Sequence, residues 1–215
     1  MNKKKLVFIG GGGLAYEILE VANQLNYSVL GYFDDKETGI DLHYLGTLED
    51  YYENSNSYTS VFLTIGCTNN KTSKIRQNII TGLQLKGVEF PNLISPHAVV
   101  SQGVSVGCGT FVAHGVVLSV DCIIGNFCIV NTTAVVGHHS IVGDNVIISP
   151  MVFIAGKVII NNNVMLGAAA KVLQGLVLGE SCVIGVGSTV LKSLEYKTTV
   201  WPLLNKKTNF KKKWV

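Results

Sequence analysis

The sequence predicts a small α/β domain with a parallel sheet, followed by a parallel β-helix built from six-residue repeats. Two observations carry that expectation. From Ile94 to Leu191 every sixth residue is aliphatic, starting Ile94, Val100, Val106, Val112 and ending Leu178, Ile184, Val190, and the register never slips. Ahead of it, short apolar strands alternate with helical periodicities, the pattern of a parallel sheet with right-handed crossovers.

Leu6 to Ile9 reads as a buried strand, Gly10-Gly11-Gly12-Gly13 as a turn, and Ala15, Ile18, Leu19, Ala22 and Leu25 as the apolar face of a helix. Val29 to Phe33 is a second strand ending at Asp34-Asp35, and Val61 to Ile65 a third, followed by Gly66. Lys71 to Lys86 is a helix with Ile75, Ile79 and Leu83 on one side. The result is a small Rossmann-like domain over residues 1–91. Four glycines between strand and helix let a phosphate approach the backbone, and the helix start offers free N–H groups and a positive dipole end. Asp34 and Asp35 stand where a ribose or base is often read. Nucleotide binding is therefore expected. A dinucleotide oxidoreductase is disfavoured, because this half-sheet is too small for both halves of such a cofactor.

The coil follows over residues 92–192, with 193–215 as a C-terminal tail. A period of six suits neither a helix nor an isolated strand. It suits a coil of three short sides, stacked at about 4.8 Å per turn. First and fifth positions point inward, and the fifth are uncharged and mostly small: Ala98, Cys122, Cys128, Ala134, Ser140 and Cys182 among them. Corner glycines (Gly107, Gly125, Gly137, Gly143, Gly167, Gly179, Gly185) are read as serving tight turns. The sixth position points outward and is also apolar, as at Val99, Ile123, Ile141, Phe153 and Ile159. Such rows do not face water in a soluble monomer, so a homo-oligomer is expected.

Composition narrows the rest. The chain has 215 residues and a net charge of +3, with basic clusters at Lys3–Lys5 and Lys206–Lys213. That favours no nucleic-acid partner. No apolar run is long enough for membrane insertion, and Leu6–Ile9 is too short for a signal peptide. Five cysteines without paired spacing suit a reducing, cytoplasmic location.

Val136-Gly137-His138-His139-Ser140-Ile141-Val142-Gly143-Asp144, with the glycine turn and Asp34-Asp35, resembles the bacterial sialic acid O-acetyltransferase-like family. The best-matching branch is the nucleotide-aminosugar N-acetyltransferases, whose coil is a left-handed β-helix of hexapeptide repeats. The resemblance implies acetyl-CoA-dependent acetylation of the 4-amino group of a UDP- or dTDP-linked deoxy amino sugar for surface glycans, by a homotrimer with no metal. It implies His138 as general base. Gly10, Gly12, Gly13, Leu14, Asp34, Asp35 and Gly66 would contact the nucleotide sugar, and Ile147, Gly156 and Ala168 would lie along acetyl-CoA. The chain departs from the family at four places. His139 replaces an acid, Leu14 and Ile147 replace histidines, and Val200-Trp201-Pro202-Leu203 replaces a Gly-x-Pro-Ala loop.

The residues support that chemistry on their own terms. An amine attacking a thioester must shed a proton, and an imidazole titrates near neutrality. Corner N–H groups such as that of Gly156 are candidates for the oxyanion. Residues eighteen apart stack in one column, which sets His139 between Asp121 and Lys157, and His138 between Val120 and Gly156. Asp121 is then the carboxylate nearest the base and is expected to pair with His139 or His138. His43, His97 and His114 read as surface or packing residues. Two alternatives stand beside the leading one: an O-acetyltransferase acting on sialic acid or a related sugar, and a non-catalytic scaffold or binding module.

Overall fold

The computed structural model describes residues 3–54 and 57–202. The expected basic run Lys206–Lys213 and Leu203 of the terminal loop lie outside the described residues. The first unit runs β1 (Lys4–Ile9), α1 (Gly13–Gln24), β2 (Tyr27–Phe33), β3 (Tyr44–Gly46), α2 (Leu48–Glu53), β4 (Val61–Leu63) and α3 (Asn70–Gln84). Its sheet is parallel, in the order β3-β2-β1-β4. The chain leaves β1 first toward β2 and later returns on the other side to β4. The crevice at their carboxyl ends is thus a topological switch point, where α/β sheets bind ligands. β3 and α2 are absent from the sequence reading. α2 opens on a capping box, with Thr47 Oγ1 accepting from Asp50 N and Asp50 accepting from Thr47 N.

From Leu93 the chain winds into a parallel solenoid of three sheets with seven, six and five strands. Registers are eighteen residues apart from Leu93 to Val190, as in Ile123↔Ile141 and Val136↔Ile154, and shorten to sixteen at the final pair, Val183↔Thr199. The last strand, Thr199–Val200, pairs with Val183–Ile184, so the coil continues beyond Leu191. First-position residues such as Leu118, Val136, Ile154 and Val172 are buried, as are Cys122, Cys128 and Cys182. Each aliphatic side chain contributes about 1.5–3 kcal/mol on full burial, which is why no inward position carries a charge.

Two sequence-based readings of the coil change. The corner glycines are not there for their turn angle. A Cβ on Gly137 would stand 2.5 Å from Ala155 C of the next coil, and one on Gly107 would stand 2.6 Å from Gly125 C. The glycines permit close stacking. The left-handed angle falls two residues later, on Asp121 (φ 57), His139 (φ 58) and Lys157 (φ 59) in one column. The outward apolar rows also divide. Phe111, Ile129, Ile147 and Met165 are covered within the chain. Ile123, Ile141, Ile159, Val99 and Phe153 stay exposed on the other two faces.

Candidate functional site

The switch-point crevice is a cavity of about 540 Å³. Its polar end is the glycine turn with Asp34 and Asp35, and its apolar end holds Phe33, Leu48, Ile75 and Ile79. Gly10, Gly12, Gly13, Leu14 and Gly66 all line it. Each glycine has a different reason. Gly10 needs φ +109, and a Cβ on Gly11 would strike the Tyr32 ring at 2.4 Å. Gly12 and Gly13 face open space, so their backbone is accessible to a ligand. Three side chains brace the turn. The half-buried Asp34 carboxylate accepts from Gly11 N and Asp35 N, both at 2.7 Å. Thr38 Oγ1 donates to Gly11 O at 2.9 Å, and the buried Thr64 hydroxyl lies against the Gly10 carbonyl. Asp34 thus shapes the cradle, whereas Asp35 is exposed at its rim.

Thr38 and Thr64 escaped the sequence reading as site residues, because Thr38 lies in a loop with no local signal and Thr64 read as part of the third strand, which in the structure ends at Leu63. Ile75 and Ile79 were placed on one apolar face with Leu83. In the structure α3 buries Ser73, Arg76, Ile80 and Leu83, and leaves Ile75 48% exposed at the cavity.

A second groove of about 310 Å³ lies on the covered face of the coil. Ile147 and Ala168 line it, with Met165, Val183, Trp201 and Cys67. Its walls are mainly apolar. Gly156 is not part of this groove. It stacks under His138, where a Cβ would lie 2.4 Å from His138 Nε2. Glycine here makes room for the imidazole.

His138 and His139 sit on the corner between the two exposed apolar faces. Ser140 N closes that turn on Gly137 O at 3.3 Å. His138 Nδ1 and His139 Nδ1 are 3.1 Å apart, with rings nearly perpendicular at 84°. His139 Nε2 lies 3.6 Å from Asp121 Oδ2, and both side chains are about half exposed. At 3.6 Å this is an ion-pair contact rather than a hydrogen bond; because a carboxylate only accepts, the arrangement that Asp121 favours has the hydrogen on His139 Nε2. In a neutral ring His139 Nδ1 then accepts, and His138 Nδ1 must donate. That order leaves the His138 Nε2 lone pair free. Lys157, exposed on the following coil, donates its backbone N–H to His138 O at 2.8 Å. Of the other histidines, His114 Nδ1 meets Ser95 Oγ at 2.6 Å and His97 packs edge-on against it, so both serve packing.

The cysteines are reduced, and burial raises their thiols, Cys122 to about 11 and Cys128 to about 12. Cys108 is exposed and is also raised by burial and by Asp144. Cys67 is buried, with its thiol raised by desolvation. None is set up as an acyl-accepting thiolate. Among the described residues no cluster of three potential metal ligands occurs, and no helix is long and apolar enough to cross a membrane.

The largest fully buried side chain is Arg76 of α3. Its Nε donates to Ile65 O at 2.7 Å and its Nη1 to Asn145 Oδ1 of the coil. Nη2 has no partner among the described residues. Burial pushes the guanidinium down to about 10. Of 17 basic side chains in the sequence Arg76 is the one arginine. That singularity was the signal available to find it.

Comparison with known proteins agrees with this geometry. Residues 5–83 match the PglD N-terminal domain. Curated proteins returned no match. The crystal structure of PerB from Caulobacter crescentus, in complex with CoA and GDP-perosamine, is 28% identical over 91% of this chain and 92% of that one, with a TM-score of 0.84. The acetyltransferase domain of PglB from Neisseria gonorrhoeae, in complex with acetyl coenzyme A, is 26% identical over 92% and 96%, with a TM-score of 0.82. WeeI from Acinetobacter baumannii, 21% identical over 92% and 96% with a TM-score of 0.80, shares the fold. A glycine cradle at a parallel-sheet switch point, an eighteen-residue solenoid and these likenesses agree with one another: residues 5–83 match the PglD N-terminal domain, and the chain as a whole is similar to hexapeptide-repeat acetyltransferases.

Proposed function

We propose that the chain transfers the acetyl group of acetyl-CoA to the 4-amino group of a nucleotide-linked deoxy amino sugar, in the cytoplasm, for surface glycan assembly. One observation carries the reading. The nucleotide-type cavity and the apolar groove share a single loop, residues 64–68, of which Thr64, Ile65 and Gly66 line the first and Cys67 and Thr68 the second. Two ligands held there meet end to end. That a relative was crystallised with both CoA and GDP-perosamine supports it. It also adds GDP to UDP and dTDP as a candidate nucleotide.

In this reading His138 Nε2 takes the proton from the attacking amine as its lone pair joins the thioester carbonyl. As the tetrahedral oxyanion collapses, the C–S bond breaks and the proton passes to the departing thiolate, regenerating the base. His139 and Asp121 hold His138 in the productive tautomer, the part an acid plays beside the base in related sites. Gly156 is assigned to seating the imidazole ring, and Ile147 and Ala168 to the pantetheine arm.

His138 stands on a different coil corner from the groove lined by Ala168. A second copy would bring its own His138 to that groove. The exposed ladders Ile123-Ile141-Ile159 and Val99-Phe153 flank the His138 corner, and they support a homotrimer closed on these faces. The test is free-thiol release from acetyl-CoA with UDP-, dTDP- and GDP-linked 4-amino sugars. Turnover with at least one, and none with the matching 4-hydroxy sugars, supports N-acetylation. Turnover only with hydroxyl acceptors refutes it.

A further inference from the structure

We infer that Arg76 is a positioning residue: its forked guanidinium ties the loop shared by both pockets to the coil corner at Asn145, and so sets one ligand's angle to the other. The inference rests on the proposed reading of the two pockets.

Three facts converge on it. The fork spans two elements, because Nε grips the carbonyl of Ile65, in the shared loop, and Nη1 grips Asn145. Asn145 is itself fixed, 4% exposed, with its N–H on Asn126 O at 2.9 Å. Its amide then continues a directed chain: Asn145 Nδ2 donates to Asn163 Oδ1 at 2.8 Å, and Asn163 Nδ2 donates to Glu180 Oε1 at 3.2 Å. Each amide accepts on the Arg76 side and donates on the Glu180 side. The aligned dipoles carry part of the carboxylate's influence back to a cation that touches no acid directly.

Cohesion of the two units does not require this. The first unit packs on the coil through apolar contacts, with Phe8, Ile18 and Phe62 in one cluster with Phe111 and Ile129, and with Phe127 beside Ile80 and Leu83. Burying a cation is a poor way to add cohesion. A planar fork adds direction, and a lysine, with its flexible stem, cannot hold both acceptors at a set angle.

Asn145→Gly isolates the clamp. Position 145 has φ 55, which suits glycine, and Gly109 occupies the same column two coils earlier at φ +65. The variant removes the acceptor without straining the turn. The experiment uses the full chain and reads binding rather than turnover. CoA is titrated calorimetrically into wild type, Asn145→Gly and Arg76→Lys, and UDP, dTDP and GDP are titrated separately. Hydrogen exchange of residues 64–68 is followed in parallel. Both affinities should weaken together by about tenfold in each variant, with faster exchange in the loop and unchanged far-ultraviolet circular dichroism. Unchanged affinities, or loss of only one, overturn the clamp. So does unfolding of Asn145→Gly, which would make the contact cohesive rather than positional. A wild-type chain that binds no CoA, or none of the three diphosphates, overturns the underlying functional reading and the clamp with it.

Discussion

Gly156→Ala tests the proposed catalytic role of the His138 corner with the smallest possible change. The added methyl would stand 2.4 Å from His138 Nε2 and 2.6 Å from Cε1, where contacts below about 3.4 Å are rare. The methyl belongs to the backbone column and cannot move, whereas the His138 ring is exposed and can. The ring must withdraw by about 1 Å, and a displacement of that size costs on the order of 10²-fold in rate. In free energy that is about 2.7 kcal/mol of lost transition-state stabilisation. Stability should hardly change, because the ring moves into solvent and no core contact is lost. The assay is thiol release at saturating co-substrates, beside a thermal melt. His138→Ala sets the floor, about 10²- to 10⁴-fold below wild type. If the methyl acts only through the ring, adding Gly156→Ala to His138→Ala should lower the rate no further. Near-full turnover in Gly156→Ala, or additive losses in the double variant, would refute the assignment of His138 and of the space beneath it.

Asp121→Asn should lower turnover by about two- to fivefold, the scale of a half-exposed ion pair, with both Michaelis constants unchanged; a shift confined to a Michaelis constant would remove Asp121 from the base's support. Light scattering at micromolar concentration should give three times the chain mass, and Ile141→Glu on an exposed ladder should dissociate it; a monomeric wild type would contradict the buried-face reading. Stability should fall as pH rises from 9. Cys122, Cys128 and Tyr51 are raised to about 11, 12 and 12 from 9.0, 9.0 and 10.0, so the unfolded chain releases those protons first. Arg76, lowered to about 10, opposes this above pH 10 because its proton is lost first from the folded state. Circular dichroism melts between pH 8 and 12 follow the balance, and a midpoint that rises from pH 9 to 10 would contradict it.

The repeat itself was legible in the sequence because its cause is local. A strict period of six with aliphatic first positions has one economical packing, so Val136 over Ile154 and His139 beside Asp121 follow from counting eighteen residues. The glycine cradle and Asp34 were legible for a similar reason, since a strand, a turn and a helix start are neighbours in the chain. Tertiary structure decided what lies between elements. Periodicity marks Ile75, Ile79 and Leu83 as equally apolar, but Leu83 is fully buried in the core, Ile79 packs partly buried against it, and Ile75 is left exposed at a cavity. Outward rows read alike on all three faces, yet docking of the first unit covers Phe111, Ile129, Ile147 and Met165 and leaves Ile123 and Ile141 bare. Gly156 reads as a donor of its N–H, and the stacked ring above it adds a second reason for glycine that the sequence did not mark, since a Cβ would lie 2.4 Å from His138 Nε2. Arg76 reads as one basic residue on a helix, because its partners Ile65 and Asn145 are 11 and 69 residues away and nothing local marks them. A hydrophobic pattern records which side of an element avoids water. Which neighbour covers that side, and which polar group is shut in with it, is settled only when distant segments close on one another.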